Sequence, residues 1–277
     1  MYTIVYRLMQ DTAKHDLSQN LDWRNAMGFS MPGDGMKNGI PEMRVSFSAA
    51  LAVWIGVAGA AMAQDAAPGP VVVELYTSQG CSSCPPADEI FAGLTERPDV
   101  IALALHIDYW DYIGWKDSFA QPQFTERQRA YARVAGARTI YTPQMIVGGM
   151  EHLVGVRPAE LAAIIARHAA MPAKAAMQVL REGDTVRITA APVAGLPQGT
   201  VIQLVRYTPK ASVEIRGGEN AGRSITYHNI VTDWRRVGTW DGIAPLSVTV
   251  DVTPGDNGVV ILQAPGPGPI LAAARLP

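Results

Sequence analysis

The sequence predicts an α/β fold that gives way, near residue 171, to an antiparallel, β-sandwich-like region. Three observations carry this reading. Over residues 70–170, apolar runs of strand type alternate with helical patterns. Beyond Met171-Pro172-Ala173-Lys174 the helical patterning stops, and short strands bounded by Gly, Pro, Asn or Asp follow to the C-terminus. The chain's 2 cysteines, Cys81 and Cys84, both fall at the first strand-to-helix junction.

The elements follow in order. "PVVVELYT", 70–77, is an apolar, β-branched run of the kind a buried strand needs. Ser78-Gln79-Gly80 makes a short loop, and residues 84–95 read as a helix. Pro85 and Pro86 fit only its first turn, where a missing N–H leaves no hydrogen bond unmade. Ile90, Phe91 and Leu94 supply its apolar face. "DVIALALHID", 99–108, is a second strand, and 122–135 an amphipathic helix with Gly136 as its stop. Residues 142–155 read as a hairpin turning at Gly148-Gly149, and 157–169 as a helix begun by Pro158. The order is βαβαββα, interrupted by an aromatic-rich insertion at 108–121. Residues 175–277 form the β-rich part, with two strands around Glu182-Gly183-Asp184 and a long exposed turn at 216–223. His228, Trp234, Arg235, Arg236 and Trp240 cluster there, and the plain reading is Trp packed on arginine stems.

From Met43 the chain reads "MRVSFSAALAVWIGVAGAAMAQD". Arg44, an apolar stretch at 47–60 and the small-x-small site Ala61-Met62-Ala63 make the pattern of a secretory signal peptide over 43–63. The apolar run is short for a bilayer span, which takes about 20 residues. Residues 1–42 read as an upstream segment from a misplaced start codon, disordered if translated. Formal charge is −2 and no Lys/Arg run occurs, which argues against nucleic acid as a partner. No later stretch is apolar enough to cross a membrane, so the mature chain is expected to be periplasmic or secreted.

An exported domain stabilised by disulfides would spread several of them over long loops. A CxxC bond closes a very short loop, and the stabilisation from closure grows with loop length. Structural zinc wants four ligands, which one CxxC does not supply. Reactivity explains the pair better. Cys81 lies at or before a helix N-terminus, where the dipole and free N–H groups favour a thiolate. That makes Cys81 the nucleophile and Cys84 the resolving thiol.

Two features together resemble the thioredoxin superfamily: Cys81-Ser82-Ser83-Cys84 heading the first helix, and Thr142-Pro143 opening the third strand. The resemblance implies a cis peptide bond before Pro143, packed against the cysteines. A closer resemblance, carried by "VELYTSQGCSSCPPAD", "HIDYWDYIGWKDSFAQPQFTERQRAYA" and "YTPQMIVGG", is to DUF1223, a family of exported proteobacterial proteins. It implies a thioredoxin-like domain and a Gram-negative periplasmic home, and supplies no substrate.

The aromatic connection follows the second strand at its C-terminal end, the edge where open sheets bind ligands. Tyr109, Trp110, Tyr112 and Trp115 are therefore expected to wall the CxxC, as a substrate groove or as the core of the inserted loop. Asp108, Asp111 and Asp117 could suggest a hard metal but more often serve as loop caps. Glu74 is a lone carboxylate in an apolar strand, and the resemblance implies a buried acid that accepts a proton behind the CxxC. His106 could stabilise a thiolate, bind copper, or be a satisfied core histidine.

Three functions remain. In a thiol–disulfide oxidoreductase, Cys81, Cys84, Thr142, Pro143 and Glu74 form the catalytic set, with protein thiols, disulfides or an envelope redox partner as reactants and no cofactor beyond the disulfide. In a soft-metal protein, Cys81, Cys84 and His106 hold copper. In a non-catalytic envelope-binding module, the β-rich region does the work.

Overall fold

The computed structural model describes residues 69–277 apart from 155, 192 and 194. The expected signal peptide at 43–63 and the upstream segment 1–42 lie outside the described residues. No helix among the described residues is long and apolar enough to cross a membrane.

β1 (Val71–Thr77) and β2 (Val100–His106) are buried along their whole length and pair in parallel. Both of their faces are covered, which is why they are apolar apart from Glu74, Tyr76, Thr77 and His106. Between them runs α1 (Pro85–Thr95), opened by the two prolines. α2 (Pro122–Val134) crosses to the other face, and β3 (Gln144–Val147) and β4 (Glu151–Val154) return as an antiparallel hairpin beside β1. Its turn uses Gly148 and Gly149, with φ of 60° and 70°. A side chain at Gly148 would also collide with the imidazole of His168 on α3 (Pro158–Ala169). Each expected element of 70–170 is present.

The β-rich part contributes to two sheets. β5 (Met177–Glu182), β6 (Thr185–Ala190) and β9 (Leu246–Asp251) form a three-stranded antiparallel sheet. β7 (Thr200–Glu214), β8 (Ser224–Trp240), β10 (Gly258–Gln263) and β11 (Ile270–Arg275) join the first sheet, giving the order β11-β10-β7-β8-β2-β1-β3-β4. Residue 171 thus marks the end of the helices, while one sheet runs through both parts. The seam is narrow: β8 meets β2 in parallel through the single pair Ala104 and Ile230. Asn229 clamps it, with φ of 44° and its side-chain amide donating to Ala102 O at 2.9 Å. Asn tolerates this left-handed conformation better than most residues.

Packing follows the alternation of side chains. Val73, Leu75 and Ala104 face α1 and α3. Val72, Tyr76, Leu103, Val205 and Ile261 face α2. The other side of β7 and β10, with Ile202, Leu204, Val260 and Leu262, packs on the three-stranded sheet as a sandwich. The β7–β8 hairpin is unusually long and shifts register at Ile202/Gln203 and Arg206/Tyr207. Such bulges bend and twist a strand pair. Its distal end packs beside β2 and α1 through Ile215, Ile225, Tyr227 and Ile230. The turn at 216–223, expected to be exposed, is so only in part: Asn220 is 2% exposed.

Candidate functional site

Cys81 and Cys84 form a disulfide, with Cα atoms 5.4 Å apart. Cys84 is the N-cap of α1, and Ala87 N and Asp88 N donate to its carbonyl at 2.8 and 3.1 Å. Cys81, expected nearer solvent, is 3% exposed against 0% for Cys84; only Ser82 and Ser83 between them are exposed. The hairpin tip holds the backbone on either side of Cys81. The Asn220 amide donates to Gln79 O and Cys81 O, both at 2.9 Å. Glu219 accepts from Ser82 N at 3.3 Å. The tip lies so close to the aromatic connection that a Cβ on Gly217 would run into Gly114 O.

The other side is walled by Thr142-Pro143, joined by a cis peptide bond. Ser83 Oγ donates to Thr142 O at 3.5 Å. Trp110 Nε1 donates to Thr142 Oγ1 at 2.7 Å, and Trp115 Nε1 to Gln79 Oε1 at 2.8 Å. Tyr109 donates to Gln128 Oε1 at 3.2 Å, and burial pushes its hydroxyl up to about 12. Tyr112 is 79% exposed and stacks on Trp110 with centroids 6.2 Å apart. The structure therefore brings Cys81, Cys84, Thr142, Pro143, Trp110 and Trp115 together.

Glu74 is not with them. It is fully buried on the α2 face of β1, opposite α1. Arg127 donates to it twice, from Nε at 2.7 Å and Nη2 at 2.9 Å. Tyr131 and Tyr76 hydroxyls add bonds of 2.7 and 3.0 Å. Burial alone would lower the Arg127 guanidinium, yet the Glu74 charge and hydrogen bond, together with Tyr131 and Tyr76, more than offset this and hold it above its ordinary value. Arg127 also lies over Trp234, 3.8 Å from the ring centroid, so the β-rich Trp does pack on an arginine.

The acid beneath the cysteines is Asp88, which the sequence reading did not single out. It is 7% exposed and sits one turn after Cys84 on the buried side of α1. Thr77 Oγ1 donates to its Oδ1 at 2.8 Å, while Oδ2 has no partner. Burial raises this carboxyl from 3.8 to about 7; His106 and the Thr77 hydrogen bond pull it down, and Asp117 pushes it up. The signal was available: Cys84, Ala87, Asp88 and Phe91 share one helical face, and Asp88 is the odd residue on it.

His106 pairs with Thr77 across β1 and β2 and is fully buried. Its Nδ1 lies 2.7 Å from Asp117 Oδ2, which also accepts from Gln79 N at 2.8 Å. The ring sits edge-on to Phe119 and Tyr227, at 5.2 and 4.8 Å. Its Nε2 has no partner, and Asp88 Oδ2 and His106 Nε2 are the two such buried side-chain atoms among the described residues. Each orphan of this kind costs roughly 1–3 kcal/mol, so each calls for an explanation.

The loop aspartates tie the connection down and do not cap its helices: Asp108 accepts from Thr125 Oγ1 at 2.5 Å and Asp111 from Asp117 N at 3.0 Å, while the helix N-caps are Trp110 and Gln121. Among the described residues no group of three or more His, Cys, Asp or Glu is arranged to hold a metal ion. A cavity of about 1090 Å³ is lined by Met171, Lys174, Met177 and Leu246, with no cysteine in its wall.

Fold and site define an α/β protein on a mixed sheet, with a CxxC disulfide at its first strand-to-helix junction. The chain belongs to the DUF1223 family, described as proteins of unknown function, whose model matches residues 72–263. A crystal structure of a protein from Agrobacterium tumefaciens is similar, at 35% identity and a TM-score of 0.63, covering 77% of this chain and 96% of that one. HBP35 of Porphyromonas gingivalis shares the fold at 15% identity and a TM-score of 0.57, covering 75% of this chain and 74% of that one. No curated protein matches the chain.

Proposed function

We propose that this protein is an exported thiol–disulfide oxidoreductase whose Cys81–Cys84 disulfide exchanges with the thiols of a partner protein in the cell envelope. One observation carries the reading. The bond closes too short a loop to contribute much stability, yet segments far apart in sequence, 79–84, 110–117, 142–143 and 219–220, converge on it. The signal-peptide pattern at 43–63 supports export, and a Gram-negative periplasm is the compartment that fits it. Thr142 and Pro143 beside a helix-capping CxxC also support a thioredoxin-like mode of action.

The exchange balances as follows. A partner thiolate attacks Cys81 Sγ, a new S–S bond forms, and the Cys81–Cys84 bond breaks with its electron pair going to Cys84. The partner's second thiolate then attacks the mixed disulfide and releases Cys81. The partner dithiol has lost two electrons and two protons, and the protein has gained them as two thiols. The reverse sequence reduces a partner disulfide. With Cys81 3% exposed, the segments around it have to open for the first attack. Tyr109, Trp110 and Trp115 then flank the incoming chain.

The test is the Cys81–Cys84 potential, by alkylation of the protein equilibrated in graded glutathione buffers. A value between about −120 and −270 mV is expected and places the pair among exchange centres. A value well below about −300 mV makes the pair a poor oxidant, either a stable local bond or a strong reductant needing its own electron donor, and overturns oxidation of a partner's thiols. Thiols that resist oxidation and copurify with copper would hand the site to the metal reading instead.

A further inference from the structure

The cavity of about 1090 Å³ lies away from the disulfide. Val71 and Val72, at the start of β1, line it, whereas the CxxC follows the end of that strand. Its wall draws on both parts of the chain: the β3–β4 turn and α3 from one, the starts of β5 and β9 and the strand β11 from the other. The joining segment 171–176 runs along it. Ligand cavities favour such junctions, and their usual size is about 300–1,000 Å³. One side of the wall is fixed by close-packed backbone. Ile270 N donates to Gly148 O at 2.8 Å and ties β11 to the β3–β4 turn. A Cβ on Gly149 would run into Gly268 O, and one on Gly148 into the His168 ring.

The lining has an unusual composition. Four methionines lie among the described residues, and three of them, Met150, Met171 and Met177, line this one cavity; the fourth, Met145, is in the core. Methionine is the adaptable apolar side chain, suited to a surface that must fit a flexible partner. Met150 and Met171 are exposed, so their thioethers are reachable from outside. Among the described residues of the wall, Lys174 is the one permanently charged side chain, and none is Asp, Glu or Arg. Lys174 is exposed and takes part in none of the salt bridges among the described residues. Glu151, the acid bonded to the wall residue His168, also accepts from Arg167, so its charge is already answered.

We infer that this cavity binds a single-chain amphiphile with an anionic head, of the fatty-acid class. The apolar chain lies against Met150, Met171, Met177 and β11, and the head meets the Lys174 ammonium. Lysine is a point charge on a flexible stem, which holds such a head without demanding one geometry. An uncompensated cation at an apolar cavity selects against a cationic head and gives a neutral one nothing to pair with. Walls from both parts of the chain fit one free molecule better than a membrane surface, which meets a single exposed face. No bond is made or broken and no cysteine lines the cavity, so this site and the exchange reading stand or fall separately.

The experiment titrates the full chain calorimetrically with laurate, dodecanol and dodecyltrimethylammonium, below their micelle concentrations. The three probes share one apolar chain and differ in the charge of the head. Laurate is expected to bind saturably, one per chain, with dodecanol several-fold weaker and the cation weakest. In Lys174→Glu the order is expected to reverse, the cation binding ahead of laurate; a merely structural role for Lys174 would weaken all three alike and overturn the assignment of the head. Peroxide oxidation locates the probe without any variant: laurate is expected to slow sulfoxide formation at Met150 and Met171 several-fold. Laurate that binds without protecting them sits elsewhere on the chain, and the inference fails. It fails equally if the wild type binds none of the probes or all three alike. Anionic phospholipid vesicles that displace laurate would assign the face to a membrane surface and overturn the single-molecule reading.

Discussion

Glu74 and Asp88 are both carboxylates buried against β1, on opposite faces of it, and their surroundings are opposite in kind. Glu74 receives two bonds from Arg127 and one each from Tyr76 and Tyr131. Asp88 receives one side-chain bond, from Thr77, and keeps an orphan oxygen. A fully satisfied buried ion is held in one charge state. A half-satisfied one is free to change state, provided a neighbour such as His106 can answer the change. Burial alone does not distinguish a fixed acid from a titrating one; the tally of partners does.

The sharpest way to break this comparison is to remove the partner of the satisfied acid. Arg127→Met leaves Glu74 as an unpaired buried charge. Such a break costs roughly 3–5 kcal/mol, read as a lower urea midpoint. A loss under about 1 kcal/mol would mean the Glu74 cluster is not the buried ion pair that its geometry describes.

Asp88→Asn is expected to act the other way. The folded-state carboxyl is raised above its ordinary 3.8 to about 7, so the folded protein binds a proton that the unfolded chain gives up between those values. Its contribution is complete below about pH 4 and is lost as pH rises to about 7, by an amount on the order of 4 kcal/mol. The Asn variant lacks this slope. It should match the wild type near pH 4 and exceed it at pH 8 in chemical denaturation, since it has no carboxyl to ionise in the buried site. Parallel stability curves across that window would remove Asp88 from the ionising groups.

The contrast also shows what the sequence could and could not convey. Strand and helix order through residue 170 was legible because each element keeps its own apolar period, and prolines or glycines punctuate the ends. The CxxC, Thr142-Pro143 and the aromatic connection were legible as a set. Glu74 caught attention because a charge in an apolar strand is conspicuous, whereas Asp88 in "CPPADEIF" looks like an ordinary first-turn helix acid. Which face each one meets depends on α2 and on the β7–β8 hairpin, and that pairing joins residues more than fifty apart. The bond from Asn220 to Cys81 O was hidden for the same reason: their 139-residue separation leaves no local trace.

That bond supplies a milder test. Asn220→Ala removes the two bonds to Gln79 O and Cys81 O and leaves both carbonyls short of a partner. The cost should be about 1–3 kcal/mol. The tip should open more often, so reduction by dithiothreitol should become several-fold faster at every pH. An unchanged or slower rate would show that the tip does not gate Cys81.

The smallest effect is the most discriminating. Thr77→Val keeps the shape of the side chain and deletes one hydroxyl, the single side-chain donor to Asp88. At pH 5, where the carboxyl is protonated, the loss should be about 1 kcal/mol. At pH 8 it should be larger, because a hydrogen bond to the charged form is stronger. The same bond helps to hold the carboxyl down, so its removal should extend the fall in stability to higher pH. A loss of the same size at pH 5 and pH 8 would mean that the Thr77 hydroxyl does not favour the charged form of Asp88.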